Sequence, residues 1–318
     1  LMMWNTRMFS LEQDARYFEI FERTMWNNFL AGVSLSGDRY FYVCPLESDG
    51  VYTFNLGWCP EHADVLFKEP SATRKEWFPC PCCPPNIARY MAQLPRYIYA
   101  VKGNEVYVNL MVGNEATLRL AEGDVRLALE TELPGSGDVQ LKVLFAEPEM
   151  FTLHVRVPHW AKQDAVPGDL YEYVGGSPGG IAAALNGENL DVDPDHGYLT
   201  LDRRWETGDE ILIGFPLEVR RVVSHPAVKE NQGKVALERG PLVYCFEEMD
   251  NPADIFSISL PDTAGTTPGH LHIGQETVQQ LNVGAFNETG EPVRATAIPY
   301  YAWSNRGAGK MAVWMERK

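Results

Sequence analysis

Near Tyr99 the spacing of apolar residues changes from a helical repeat to strict alternation, so the two sides of that point cannot share one architecture. Ahead of it, residues 1–9 and 14–30 read as helices, with Tyr17, Ile20, Phe21, Thr24, Met25 and Phe29 recurring on one face. Asp14 is placed to cap the second helix and Gly32 to stop it. Residues 33–43 predict a hairpin turning at Ser36-Gly37-Asp38 and returning through Tyr40-Phe41-Tyr42-Val43, and residues 86–94 predict one more helix. Beyond residue 100 short strands follow, among them Val106 to Leu110, Thr117 to Leu120, Val125 to Leu129, Gln140 to Leu144 and Thr152 to Val157. Asn186-Gly187 predicts a tight hairpin. Tyr198 to Leu201 and Glu210 to Ile213 continue the alternation, and a second β unit starts near Glu218 with strands at 235–237, 242–244 and 311–315. Residues 174–180 and 261–269 read as Gly/Pro-rich loops. The expected class is α+β and multidomain, with helices in 1–99 and two antiparallel β-sandwich domains at 100–217 and 218–318.

At 318 residues and 45% apolar composition the chain can bury two or three cores. A formal charge of −16 argues against a nucleic-acid partner, which requires a basic footprint. No apolar run reaches bilayer-spanning length, so no membrane partner is expected. Cys44, Cys59 and Cys245 lie far apart and give no disulfide framework, which favours a reducing, cytoplasmic compartment.

The other three of six cysteines fall within four positions, in Phe78-Pro79-Cys80-Pro81-Cys82-Cys83-Pro84-Pro85-Asn86. Bridging neighbours Cys82 and Cys83 would force a strained disulfide, and the prolines stiffen the backbone around them. Two thiolates on a rigid turn are good ligands for a borderline metal, Zn²⁺ first. A thiolate there is also a potential nucleophile, with redox chemistry and a packed cysteine cluster as the other readings. The chain holds no second CxxC and no HxxxH pair, so two ligands of a tetrahedral shell are unaccounted for. The loop from residue 45 to 85 that ends at this turn is long enough to be functional.

The run Trp77-Phe78-Pro79-Cys80-Pro81-Cys82-Cys83-Pro84-Pro85-Asn86-Ile87-Ala88-Arg89, followed by Arg96-Tyr97-Ile98-Tyr99, resembles bacterial β-L-arabinofuranosidases of glycoside hydrolase family 127. The resemblance continues through Asn28-Phe29-Leu30-Ala31-Gly32, Tyr40-Phe41-Tyr42-Val43, Arg239-Gly240-Pro241-Leu242-Val243-Tyr244-Cys245, Asp250-Asn251-Pro252 and Pro299-Tyr300-Tyr301-Ala302-Trp303-Ser304-Asn305-Arg306. It implies that residues 1–99 are the last helices of an (α/α)6 toroid. It also implies a retaining glycosidase that releases terminal β-L-arabinofuranose, with a zinc-bound cysteine as nucleophile. Cys82 matches that nucleophile, Cys83 a zinc ligand beside it, and Tyr42 an active-site tyrosine close to the sulfur. The family's remaining ligands, a Glu and a Cys of a Glu-Thr-Cys motif, and its acid/base Glu have no counterpart here. The chain, which opens Leu1-Met2-Met3 without a helix cap, is therefore expected to be the carboxyl-terminal part of a larger enzyme, inactive alone.

Read without the resemblance, Tyr42 is a half-buried strand tyrosine. Cys80 is expected to support the metal site, and Cys44 has no assigned role. Asn86 and Arg89 read as a cap and a packed or paired surface residue rather than as catalytic groups. His62, Glu47, Glu61, Glu69 and Glu76 share the long loop and are the in-chain candidates for a missing ligand or acid/base. The expected partner is an arabinofuranoside-containing glycan, with a homodimer as an option. The alternative function is a non-catalytic, zinc-stabilised module for carbohydrate binding or assembly.

Overall fold

The computed structural model describes residues 1–55, 71–78, 81–162, 164–176, 179–251 and 253–318. These residues divide into two compact units. One comprises Leu1–Glu22, Ala92–Pro167 and Gly176–Glu218, the other Arg23–Met91, Gly168–Gly175 and Val219–Lys318. Among the described residues α-helix is confined to α1 (Met2–Glu12), α2 (Arg16–Thr24) and α3 (Cys83–Gln93), while strands dominate the rest. None of these helices is long and apolar enough to cross a membrane.

In the first unit a six-stranded antiparallel sheet runs in the order Glu188–Leu190, Ala182–Leu185, Glu210–Gly214, Asp138–Ala146, Gly123–Thr131, Asn114–Leu120. Its alternation puts Val125, Leu127, Leu129, Val139, Leu141, Val143, Ile211 and Ile213 on one face. A four-stranded sheet, Tyr198–Arg204, Met150–Arg156, Glu105–Val108, Tyr99–Lys102, sends Leu153, Val155, Val106, Val108 and Leu199 into the same core. Each such side chain contributes roughly 1.5–3 kcal/mol on burial. Tyr107 and His154 point the opposite way and stack at 4.2 Å, and Phe9 of α1 meets Tyr107 edge-on at 5.6 Å. The helices thus cover the second face with aromatic rings. At the hairpin 182–190, Asn186 and Gly187 both adopt positive φ, as a two-residue turn demands.

The expectation of purely antiparallel sheets needs correction. Glu105–Val108 pairs with Met150–Arg156 in parallel, because the intervening chain crosses to the six-stranded sheet and returns in the same direction.

A buried ionic cluster fixes α2 in this unit. Arg156 is fully buried and donates to the Asn109 carbonyl at 2.6 Å, to Glu19 at 2.7 Å and to Glu22 at 2.6 Å. The second oxygens of those carboxylates accept from the His159 N–H and the Trp160 indole, both at 2.9 Å. Burial pushes the Glu22 carboxyl above its ordinary range, against the pull of Arg156.

In the second unit the strands form one eleven-stranded sheet. Leu242–Glu247 pairs with both Pro292–Pro299 and Lys234–Arg239, and the path through Glu276–Phe286, Ser259–Leu260 and Met315–Arg317 closes on itself. Leu237, Tyr244, Phe246, Leu260, Leu281 and Val283 are among the residues of one of its cores.

Three local expectations fail for identifiable reasons. The helix expected over 14–30 is α-helical only to Thr24, then passes through a π turn, Met25–Phe29, and a 3₁₀ turn, Leu30–Gly32. There Asn27 spends its amide on the Pro241 carbonyl at 2.8 Å and the Val243 N–H at 2.7 Å. The hairpin over 33–43 reduces to a single bridge, Val33 to Tyr40, because Tyr40 also bridges Lys75. The loop expected at 261–269 gives way to strand Thr266–Ile273. Among the described residues it pairs only with Glu276–Phe286, and a strand with one partner tolerates Pro268.

Substituting Arg156→Leu leaves two buried carboxylates without their counter-charge, and the expected loss is about 3–5 kcal/mol near neutral pH. Because the Glu22 carboxyl is already raised in the folded state, protonation relieves the variant, so its deficit is smaller under mildly acidic than under neutral conditions. Urea unfolding under both conditions checks this; a pH-independent deficit counts against the ionic account.

Candidate active site

The cysteine turn leads into α3, whose first residue is Cys83. Pro84 and Pro85 suit a helical first turn because their missing N–H groups have no intrahelical partner there. Asn86 Nδ2 donates back to the Cys82 carbonyl at 3.0 Å, and Arg89 donates to Asn86 Oδ1 at 2.6 Å. Cys82 is exposed and Cys83 half-buried. Their sulfurs stand 3.7 Å apart, far beyond a disulfide's roughly 2.05 Å. Two thiolates on one tetrahedral zinc, each about 2.3 Å from it, would lie roughly 3.8 Å apart, so this pair fits two of the four positions. Among the described residues no group of three or more His, Cys, Asp or Glu side chains is arranged to hold a metal ion.

Tyr42 is half-buried, and its ring meets Phe78 at 5.7 Å and 64°. Its N–H donates to Asn55 Oδ1 at 2.8 Å. Asn55 is wholly buried and donates in turn to the carbonyls of Tyr40 at 3.2 Å and Thr73 at 2.8 Å. Next to Thr73, the buried Arg74 donates to the carbonyls of Trp303 at 2.5 Å, Ala31 at 2.8 Å and Tyr301 at 3.2 Å, with its guanidinium 4.3 Å from the Phe41 ring centre. Burial brings Arg74 down to about 10, which leaves it charged at neutral pH. Asn55 and Arg74 escape sequence reading because their partners are main-chain groups, some more than 200 positions away, and carry no local pattern.

The remaining candidates separate. Glu47 is exposed and lies 3.7 Å from Lys234; Glu76 is exposed and pairs with Arg39 at 2.8 Å. Cys59, Glu61, His62, Glu69 and Cys80 lie outside the described residues. Burial pushes the Cys44 thiol up to about 11, with Arg74 pulling the other way, and burial drives Cys245 well above the usual thiol range. Both are therefore held as thiols at neutral pH. Iodoacetamide at about pH 7.5, with labelled peptides mapped by mass spectrometry, is expected to modify Cys82 and spare Cys44 and Cys245. Labelling of Cys44 at the Cys82 rate would refute this ordering.

Comparison with known proteins agrees along the whole chain. Residues 1–96 match the β-L-arabinofuranosidase catalytic domain of glycoside hydrolase family 127, residues 105–217 its middle domain and residues 219–316 its carboxyl-terminal domain. A non-reducing end β-L-arabinofuranosidase of Bifidobacterium longum is 28% identical over 346 residues, covering 100% of this chain and 48% of that protein. Among solved structures, a family 127 β-arabinofuranosidase is 36% identical with a TM-score of 0.87, covering 100% of this chain and 48% of the other. A family 127 β-L-arabinofuranosidase from Geobacillus stearothermophilus T6 is 34% identical with a TM-score of 0.84 and the same two coverages. The chain spans about half the length of the curated relative it matches. With all three domain types of one family in order from residue 1 to residue 316, the chain belongs to glycoside hydrolase family 127.

Proposed function

We propose that the chain carries the nucleophile of a retaining glycosidase that releases terminal β-L-arabinofuranose, as the names of its relatives suggest. The observation that carries this reading is the sulfur pair, 3.7 Å apart at the start of α3, within the segment that matches the family's catalytic domain. In this reading the helices belong to an (α/α)6 toroid in 1–99. The six- and four-stranded sheets within 100–217 form a sandwich, the strands of 218–318 belong to the sheet that closes on itself, and the task of both units is structural or to pair the chain with a second copy.

The chemistry is a double displacement. Cys82 Sγ attacks the anomeric carbon; the bond to the leaving oxygen breaks, and that oxygen takes a proton from a carboxylic acid outside the residues described here. The resulting carboxylate then takes a proton from water, whose oxygen attacks the same carbon and expels Cys82 Sγ as thiolate. Cys82 and Cys83 would hold Zn²⁺, which supplies ionised sulfur at neutral pH and a better sulfur leaving group. Tyr42 orients the substrate beside the sulfur.

Two measurements test the reading. Joined to the upstream half of a full-length family 127 relative, the chain is expected to turn over a β-L-arabinofuranoside, and Cys82→Ser to lose about a thousandfold or more. Retained turnover in that variant sinks the assignment. Elemental analysis of the same assembly should find one zinc per chain, lost in Cys82→Ser/Cys83→Ser; a full equivalent in the double variant would remove the metal from this site.

A further inference from the structure

Tyr42 and the run leading to the cysteine turn belong to different stretches of chain, and one amide stands between them. Asn55 is wholly buried, and its side chain makes three main-chain hydrogen bonds. It accepts from the Tyr42 N–H at 2.8 Å and donates to the carbonyls of Tyr40 at 3.2 Å and Thr73 at 2.8 Å. Its own N–H donates to the Ser71 carbonyl at 3.0 Å. Beside it Tyr40 and Lys75 exchange main-chain bonds of 2.7 and 2.9 Å. Three residues past Lys75, the fully buried Phe78 lies against the Tyr42 ring, and four residues further on stands Cys82. Arg74 ties the same stretch to the carbonyls of Ala31, Tyr301 and Trp303. The stretch that runs into the cysteine turn is therefore set against Tyr42 by hydrogen bonds rather than by a sheet ladder.

We infer that Asn55 is a positioning residue that holds Tyr42 and the cysteine turn in register; this rests on the reading of Tyr42 and Cys82 as one site. The task needs one acceptor and two donors on a short, neutral group. Aspartate would bury a charge and offer no donor when ionised, serine is too short, and glutamine is a methylene too long. Removing the amide leaves the Tyr42 N–H and the Thr73 carbonyl to find new partners in a buried place, and leaves the Tyr40 carbonyl with the Lys75 N–H, so the two stretches slip.

The test compares Asn55→Ala with Asn251→Ala. Asn251 is also buried in this unit and also bonds main chain, donating to the carbonyls of Glu247 and Thr296 and accepting from the Thr296 N–H, but it touches neither stretch. Hydrogen exchange of the 318-residue chain is read by peptide mass spectrometry over 81–90. Asn55→Ala is expected to speed exchange there about tenfold, and Asn251→Ala to leave it within about twofold at a comparable loss of Tm. Equal effects of the two variants, or unchanged exchange in Asn55→Ala, overturn the inference. If Asn55→Ala does not fold, Asn55→Asp, which keeps the acceptor for Tyr42, is read in the same way. In the assembly with the upstream half, Asn55→Ala should lower kcat about tenfold with KM changed by less than about threefold. A proportional rise in KM with kcat intact would overturn it. An active Cys82→Ser would remove the nucleophile reading while leaving the exchange result standing.

Discussion

Backbone that packs inside a protein without joining a ladder must still find partners for its N–H and C=O groups, and the second unit meets that demand with side-chain amides and guanidinium groups, Arg74 above all. Asn27 serves the Pro241 carbonyl and the Val243 N–H, and Asn251 serves Glu247 and Thr296. Asn55 joins Tyr40, Tyr42 and Thr73, while Arg74 closes three carbonyls at once. Each replaces a ladder bond with a geometry that no neighbouring residue type reproduces. The irregular segments that carry the candidate chemistry can therefore be buried and still be placed.

The first unit solves a related problem with charge. Arg156 offers three donors to a wholly buried place and meets a carbonyl and two carboxylates, and both carboxylates hold further donors with their second oxygens. Burial works against the guanidinium, yet the carboxylates outweigh it and keep Arg156 raised above its ordinary range. Such a cluster adds little net stability over an apolar packing, but its two carboxylates tie α2 to Arg156, His159 and Trp160 by four hydrogen bonds. The aromatic contacts among Phe9, Phe18 and Tyr107 depend on that attachment.

What could be read from the amino acids was what is local. Alternation in Val125-Arg126-Leu127-Ala128-Leu129 marks the strand Gly123–Thr131, and Asn186-Gly187 marks the hairpin between Ala182–Leu185 and Glu188–Leu190. Clustered cysteines and prolines mark the turn ahead of α3. What could not be read was decided at a distance. The π turn follows from Asn27 meeting residues 241 and 243, the lost hairpin from Tyr40 meeting Lys75, and the parallel pairing from the path taken between residues 108 and 150. Asn55 and Arg74 are single polar residues whose meaning lies in main-chain groups outside their own neighbourhood, one N–H and two carbonyls for Asn55 and three carbonyls for Arg74. The cysteines were visible because their chemistry is rare; the groups that place them were not, because theirs is common.

The two prolines behind Cys83 have one more effect. By position Cys82 precedes the helix, where a residue's side chain ordinarily turns back to bind the amides two and three places on. Here those places are Pro84 and Pro85, which have no amide hydrogen to offer. The sulfur of Cys82 is thereby released from capping duty and left facing outward, while the Asn86 side chain takes over the closing of the turn. Replacing either proline with alanine would hand the helix a donor and give that sulfur a competing engagement.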